Sequence, residues 1–432
     1  MDWLGRASLS FTTAPESLQL KGKDGTKTDL LSVVKDTVPP CHLNPLLFNG
    51  HLQTCWTAVG RSAPETHYKR RIFEADHADF SGSYCVDFVS RPSEEPADDT
   101  LPPRTTYFTD EEKAAMGSDD SKPMLVVLHG LSGGSHEVYL RHAITPLVES
   151  GEWEVCVVNS RGCAMSKITT GILYNARATW DVRQTVKWLR KTYPNRPLFG
   201  LGFSLGACIL TNYIAEEGSS CLFKAAIVCA NPWNLEISNK MLSSSFIGQN
   251  LYQRVLGTAM RQLAATHKDE IIKYTNIDYN TLTTLTYLHE FDRAYQCPTW
   301  GYPTEDAYYR DASSNDSLLA VRIPLLCLNA EDDPIASKWG LPRLEAAKNP
   351  YTVLCTTSLG GHIGWYELSG GRWHAKPIFN FFNRMAFGIE SESISHDRGL
   401  HQEPKKKEAG YSQMNFDPLR RRMNVNLDSS PN

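Results

Sequence analysis

The chain has 432 residues and a net charge of −4, and hydrophobic residues make up 41% of it, as in an ordinary folded globular protein. This mild charge balance argues against a general affinity for nucleic acid, and we expect no nucleic-acid partner. The sequence has neither the ~18 consecutive apolar residues of a membrane-spanning helix nor the apolar core of a secretory signal, so we expect a cytoplasmic protein that is not secreted.

The cysteines and histidines do not form the patterns of a metal site. Eleven cysteines are present, an odd number without a C-x-x-C pair, and several lie in apolar runs. This distribution favours buried, reduced thiols over a disulfide framework or a zinc site. His42, His51 and His67 also lack metal-ligand spacing. We therefore predict no metal and no cofactor.

The first 122 residues precede the main alternating pattern. Residues 1–38 are polar and predict an irregular N-terminal segment. Alternating apolar residues at Tyr68–Phe73 and Tyr84–Val89 predict a β-hairpin. Residues 91–122 are rich in Pro, Asp, Glu and Ser, which predicts an exposed loop.

From residue 123 onwards, apolar strands alternate with helical patterns at 136–150, 176–193 and 205–216. This alternation predicts the α/β class, with a mostly parallel sheet and helices on both of its faces. The predicted strands are 123–130, 154–162, 197–203, 223–232, 324–330 and 352–358.

Two intervals depart from the alternation. We interpret the amphipathic and aromatic-rich pieces of 233–320 as a helical cap inserted between strands; the alternative is that they extend the outer layer of the sheet. The main domain is predicted at 39–387. Residues 388–432 are polar and predict a disordered tail, whose basic clusters at 405–407 and 420–422 suit a weak contact with an anionic membrane surface. We expect at most a weak peripheral contact with a membrane or a lipid droplet.

A G-x-S-x-G pattern occupies 202–206, where a predicted strand ends and a helix begins. In this context the pattern predicts a nucleophile elbow, a tight turn that lifts the hydroxyl of Ser204 above the sheet. Its flanking glycines fit because side chains there would clash. A serine hydroxyl is a weak nucleophile at neutral pH, so it needs a base, and that base needs an orienting acid.

Loops after the last two predicted strands supply the acid and the base. Asp332 and Asp333 follow the strand at 324–330, and either is a candidate for the acid. We favour Asp333, because it directly precedes a proline that starts a new turn. His362 follows the strand at 352–358 in a loop flanked by glycines, and it is the predicted general base.

The turn after the first core strand is the predicted oxyanion hole. We assign the backbone N–H groups of Leu131 and Leu205 to the negative oxygen that forms in the transition state of acyl transfer. The run 130–134 is neither a P-loop nor a dinucleotide-binding fingerprint, which agrees with the absence of a predicted cofactor.

Taken together, these motifs resemble the α/β-hydrolase subfamily of fungal medium-chain fatty acid ethyl ester synthases/esterases, and animal phospholipid- and acylglycerol-cleaving hydrolases are similar. The resemblance spans about 39–387 and implies an α/β-hydrolase fold whose triad falls on Ser204, Asp333 and His362. The motifs are NGHLQT (49–54), HGLSGGS (129–135), NSRG (159–162), GFSLGA (202–207), NAEDDP (329–334) and GGHIG (360–364).

The resemblance implies a serine esterase or acyltransferase that acts on medium-chain esters or thioesters, including acyl-CoA, through an acyl-serine intermediate. It equally allows a tailoring hydrolase or thioesterase of fungal secondary metabolism, or a monoacylglycerol or phospholipid lipase. The H-x-x-x-x-D motif credited with acyl transfer in some members is absent from this chain. A non-catalytic binding protein on the same fold is the remaining alternative, and the presence of all three triad residues argues against it.

Overall fold

The fold is that of a computed structural model, which describes residues 5–60, 62–93, 98–390 and 419. Its described strands are β1 (Arg6–Ala7), β2 (Leu9–Thr12), β3 (Gln19–Lys21), β4 (Lys27–Asp29), β5 (Cys41–His42), β6 (His67–Glu74), β7 (Ser83–Ser90), β8 (Thr105–Tyr107), β9 (Met124–Leu128), β10 (Glu154–Asn159), β11 (Leu198–Phe203), β12 (Phe223–Cys229), β13 (Leu325–Ala330) and β14 (Thr352–Thr357).

Ten of these strands form one mixed sheet in the order β2-β14-β13-β12-β11-β9-β10-β7-β6-β8. The six central strands, from β14 to β10, pair in parallel. Every residue of β9, β11, β13 and β14 is buried, as their continuous apolar sequences predict for strands covered on both faces. The predicted α/β class and its mostly parallel sheet are confirmed.

Helices connect the parallel strands and cover the sheet. The α-helices are α1 (Leu30–Thr37), α2 (Gly50–Val59), α3 (Asp110–Ala114), α4 (Val138–Glu149), α5 (Trp180–Thr192), α6 (Leu205–Glu217), α7 (Leu235–Ser244), α8 (Gln253–Thr266), α9 (Lys268–Tyr274), α10 (Tyr279–Thr284), α11 (Leu288–Phe291), α12 (Cys297–Trp300), α13 (Glu305–Ala312), α14 (Arg343–Ala346) and α15 (Ala375–Asn383). Short 3₁₀ and π segments join some of them, including a π segment at Gly248–Tyr252.

The core helices follow their apolar patterns. In α5, Val182, Val186 and Leu189 are buried on one face, and the charged residues of its last turn are Arg190 and Lys191. Helix α6 is buried almost all round, because it packs directly on β11 and β12. Helices α4 and α15 pack against each other.

The prediction of an irregular segment at 1–38 is wrong for its described part. Strand β2 pairs antiparallel with β14 and extends the sheet, and α1 buries Leu30, Val33 and Val34. The few apolar residues of this polar stretch give little sign of structure on their own. Their order comes from docking against the sheet edge and α15, since short helices gain most of their stability from tertiary packing.

The predicted hairpin is confirmed as β6 and β7, which pair antiparallel along eight residues. The prediction of an exposed loop over 91–122 is wrong at Thr105–Tyr107, which forms β8 and pairs with β6, and at Asp110–Ala114, which forms α3. The prediction of a disordered tail at 388–432 lies outside the described residues, except for Gly388–Glu390 and Leu419. Within the described start of the predicted tail, Ile389 is buried and bridges to Gly22.

The interval 233–320 is helical from α7 to α13. Its helices share a buried apolar cluster with the loop at 163–178, and the partly buried Leu131 and Leu205 pack against that cluster. We propose this interval as the cap over the site. In the part of the chain that the structure describes, no helix combines the length and apolarity needed to cross a bilayer.

Candidate active site

Ser204 lies in the turn between β11 and α6 with φ 50° and ψ −120°, a backbone conformation that L residues rarely adopt. Two glycines make the turn possible. A Cβ added at Gly202 would lie 2.7 Å from the Cα of Ala207, and one added at Gly206 would lie 2.4 Å from the carbonyl oxygen of His129. The predicted strand–turn–helix geometry of the G-x-S-x-G pattern is therefore present, with the strain that often marks functional sites.

A continuous hydrogen-bond chain joins the three predicted residues. The Oγ of Ser204 lies 2.8 Å from Nε2 of His362, and Nδ1 of His362 lies 2.8 Å from Oδ2 of Asp333. The other oxygen of Asp333 accepts hydrogen bonds from the N–H groups of Ile335 and Ala336, at 2.7 and 2.8 Å. The carboxylate is thus fixed as an acceptor, which leaves the proton on Nδ1 and the lone pair of Nε2 facing the serine.

Asp332 has a different position from its neighbour. Its Oδ1 accepts a hydrogen bond of 2.9 Å from the N–H of Gly361, and its buried Oδ2 has no partner among the described residues. Burial raises the pKa of the Asp332 carboxyl to about 6, and the negative charge of Asp333 adds to that rise. The geometry therefore favours Asp333 as the residue that orients the imidazole.

The loop that carries His362 is also held by α2. The Oγ1 of Thr54 accepts a hydrogen bond of 2.8 Å from the backbone N–H of His362 and donates one of 2.6 Å to the carbonyl of Gly50. Two consecutive N–H groups, those of Gly361 and His362, are thus bound by side chains from separate parts of the chain. We call this arrangement the loop clamp, formed by Thr54 and Asp332.

Gly50 allows α2 to approach this closely. A Cβ added at Gly50 would lie 1.9 Å from the carbonyl oxygen of Asp332, and one added at Gly361 would lie 2.5 Å from the carbonyl oxygen of Gly50. Asn49 starts the helix, since its side chain accepts a hydrogen bond from the N–H of Leu52. The NGHLQT run therefore supports the loop that carries His362.

The predicted oxyanion donors lie beside the serine. The N–H groups of Leu131 and Leu205 have no hydrogen-bond partner within the described part of the chain. A Cβ added at Gly130 would lie 3.3 Å from the Cβ of Ser204, which places the turn after β9 directly against the elbow. Leu205 is the first residue of α6, where backbone N–H groups have no partner within the helix.

A buried ion pair anchors this turn. Arg70 and Asp87 are 1% and 0% exposed, and their side chains are joined by two hydrogen bonds of 2.7 and 2.8 Å. Asp87 also accepts a hydrogen bond of 2.6 Å from the hydroxyl of Ser135, whose N–H donates to the side chain of Asn159 at 3.0 Å. The β6–β7 hairpin thus fixes the end of the HGLSGGS run.

His129 supports the same turn and is kept neutral. Its Nδ1 lies 2.6 Å from the carbonyl of Gly130, and its Nε2 accepts a hydrogen bond of 3.0 Å from the N–H of Ser160. Burial lowers the pKa of this imidazole to about 4. This histidine therefore acts as a structural hydrogen-bonding group.

Residues 123–367 match the family described as alpha/beta hydrolase fold. The chain belongs to this family. A monoacylglycerol lipase of Saccharomyces cerevisiae is 36% identical to it over an alignment of 357 residues, and the match covers 78% of this chain and 78% of that protein.

Two further relatives of this α/β hydrolase have related names. The medium-chain fatty acid ethyl ester synthase/esterase 2 of Saccharomyces cerevisiae is 33% identical over 66% of this chain and 67% of that protein. A phospholipase of Bos taurus is 31% identical over 63% of this chain and 65% of that protein. The predicted fold and the resemblance to the ester synthase/esterase subfamily are confirmed.

Sequence reasoning missed the loop clamp of this hydrolase. Thr54 lies in a helix 308 positions before the residue it holds, and a single threonine has no pattern that signals such a contact. The available signal was the NGHLQT motif of the family resemblance, which does not indicate what this run touches.

We expect Thr54→Val to lower kcat about tenfold with little change in KM, because it leaves the buried N–H of His362 without an acceptor, a loss of roughly 1–3 kcal/mol. Steady-state kinetics on a chromogenic ester measures this. Thr57→Val is the matched control, since the Thr57 hydroxyl binds the carbonyl of Thr54 in the same helix. Thr54→Ser should restore activity, and a Thr54→Val enzyme with wild-type kcat would contradict the clamp.

Asp332 should also affect how stability depends on pH. The pKa of Asp332 is about 6 in the folded state and roughly 3.9 in the unfolded state. Between about pH 4 and about pH 6 the folded protein therefore binds more protons than the unfolded protein does. The free energy of unfolding should therefore decline as pH rises from about 4 to about 6, and more steeply in the wild type than in Asp332→Asn. Urea denaturation across this range measures the slopes. Asp36→Asn, at an exposed position of α1, should behave as the wild type, and equal slopes in Asp332→Asn and wild type would exclude this role.

Proposed function

We propose that this chain is a serine ester hydrolase that transfers acyl groups through an acyl-serine intermediate. The observation that carries the proposal is the hydrogen-bond chain of 2.8 Å and 2.8 Å from Ser204 through His362 to Asp333. A hydroxyl, an imidazole and a buried carboxylate in this order are the parts that nucleophilic acyl transfer requires.

In the proposed reaction, Oγ of Ser204 attacks the carbonyl carbon of an ester or thioester while Nε2 of His362 takes its proton. Asp333 stabilises the imidazolium that forms. The N–H groups of Leu131 and Leu205 bind the oxyanion, and His362 then returns the proton to the leaving alkoxide or thiolate. Water or an alcohol finally attacks the acyl-serine, and its proton passes through the same imidazole to Oγ.

The proposed substrates are acyl esters or acyl-CoA thioesters of lipid character. The side chains of Leu131 and Leu205 contact the apolar cluster shared with the proposed cap. An acyl chain suits this environment, because burying each of its methylenes contributes roughly 0.8 kcal/mol of binding free energy. The relatives include a monoacylglycerol lipase, a medium-chain fatty acid ethyl ester synthase/esterase and a phospholipase. A tailoring hydrolase or thioesterase would use the same residues in the same roles.

We also propose a reducing compartment, the cytoplasm. All eleven cysteines lie within the described residues, and none is joined in a disulfide. Reduced thiols of this kind are usual in cytosolic proteins.

We expect Ser204→Ala to abolish turnover of p-nitrophenyl octanoate, with a loss of roughly 10⁴-fold or more, and to prevent labelling by a fluorophosphonate probe. Circular dichroism should show that the variant stays folded. Ser220→Ala, at an exposed position after α6, serves as the matched control and should react as the wild type. A folded, active Ser204→Ala enzyme free of contaminants would end the proposal, and a wild type that the probe does not label would favour the binding-protein alternative.

Acyl transfer to an alcohol is tested with octanoyl-CoA in the presence and absence of ethanol. We expect free octanoic acid alone without ethanol, and ethyl octanoate in addition when ethanol is present, because both nucleophiles attack the same acyl-serine. Gas chromatography separates the two products, and Ser204→Ala should form neither. Continued acid release without ester at any ethanol concentration would limit the activity to hydrolysis.

A further inference from the structure

Exposed apolar side chains are concentrated in three segments of this molecule. Eleven of the nineteen large hydrophobic side chains that are exposed among the described residues lie in 43–60, in 241–255 or at Trp339. Phe246 is 83% exposed and Leu46 is 76% exposed, which are the two highest values among these eleven side chains. We call these exposed side chains the apolar rim.

Contacts bring the segments that carry the rim next to one another. Nδ1 of His51 in α2 lies 2.9 Å from the hydroxyl of Tyr252, and the two rings stack with their centroids 5.7 Å apart. A Cβ added at Gly340 would lie 3.3 Å from Cβ of Asn234, so the turn that carries Trp339 lies against the start of α7.

The rim borders the site that contains the proposed nucleophile. Helix α2 has two faces: its buried face carries Thr54, which binds the N–H of His362, and its outer face exposes Leu52 and Trp56. Trp339 lies six positions after Asp333 along the chain. Helix α2 therefore joins part of the rim to the loop that carries His362.

The charge of the rim indicates what covers it. Segment 43–60 contains no Asp, Glu, Lys or Arg, and 241–255 contains a single charged residue, Arg254, whose guanidinium lies over the ring of Tyr287. Near Trp339, Lys338 lies over the indole ring. Charged side chains are therefore sparse on this surface, which offers little to ionic recognition. Trp56 and Trp339 are 48% and 67% exposed, and exposed tryptophan is typical of the boundary between an apolar layer and water. A lipid surface without net charge matches both properties, and concentrations of exposed apolar side chains mark interaction sites.

We propose that the apolar rim docks this enzyme on a lipid surface of zero net charge, from which acyl ester substrates enter the site between α2 and the cap. The inference rests on the proposed function, since it places a lipid substrate next to Ser204. It differs from the contact expected of the basic clusters at 405–407 and 420–422, which lie outside the described residues and would require anionic lipid.

The test uses the full chain and sucrose-loaded vesicles of phosphatidylcholine, with the bound fraction measured by sedimentation. We expect the wild type to bind and the double variant Leu46→Ser/Phe246→Ser to bind at least fivefold less. The matched control is Ile72→Ser/Ile272→Ser, which removes two side chains that are 50% and 53% exposed on β6 and α9. This control should bind as the wild type.

Two further measurements separate docking from catalysis and from folding. Both double variants should hydrolyse soluble p-nitrophenyl acetate at the wild-type rate, whereas only the rim variant should lose activity on an ester embedded in vesicles. Ser204→Ala should still sediment with vesicles, so a failure of the proposed chemistry would leave the docking result intact. Thermal unfolding confirms that each variant is folded.

Three results would overturn the docking proposal. The first is a wild type that does not bind vesicles of phosphatidylcholine alone and binds only when phosphatidylserine is added. The second is a rim variant that sediments as fully as the wild type. The third is a wild type that light scattering shows to be a dimer, with twice the chain mass of 48.4 kDa, together with a rim variant that is a monomer. This result would mean that a second copy of the chain covers the rim.

Discussion

The candidate site depends on the position of one imidazole ring, that of His362. His362 has to face a hydroxyl with one nitrogen and a carboxylate with the other, and both contacts measure 2.8 Å. A parallel sheet makes this arrangement accessible, because the carboxyl ends of β11, β13 and β14 lie at the same edge. The three side chains come from loops far apart in sequence, and the sheet removes most of the freedom in their relative placement.

Closely packed backbones supply the remaining precision. At Gly50, Gly202 and Gly206 an added Cβ would approach a neighbouring backbone atom to within 2.7 Å or less, so these contacts admit no side chain. They bring α2, the elbow and the turn after β9 together around the serine. The Arg70–Asp87 pair also holds the turn after β9 in place. A buried ion pair with full hydrogen bonding fixes geometry even where its net stabilisation is small.

The parts of this site that were predictable are those whose conformation depends on residues adjacent in sequence. The elbow at 202–206 combines a strand end, a helix start and two glycines, so its conformation follows from local sequence. The choice between Asp332 and Asp333 was harder, because adjacent side chains point in different directions and only the folded loop shows which one meets the imidazole. The geometry supports Asp333, and the proline that follows it does not by itself determine which carboxylate meets the imidazole.

Features that depend on distant partners were not predictable. Thr54 holds the His362 loop through a contact that no local pattern encodes. The order of the N-terminal segment was missed for the same reason, since β2 and α1 gain their structure from the sheet edge and from α15. The helices of 233–320 were recognised from their amphipathic pieces, but their packing against Leu131 and Leu205 required the tertiary fold.

The pairing of β2 with β14 has a consequence for synthesis on the ribosome. Thr13, just after β2, donates a hydrogen bond to the carbonyl of Thr352, 339 positions further along the chain. At the usual speed of translation, ~5–20 residues per second, the first strand of the sheet waits roughly 20–70 s before its partner is made. Until then the backbone N–H and C=O groups on one side of β2 remain unpaired, and β14, the strand that leads to His362, is the strand that pairs with them.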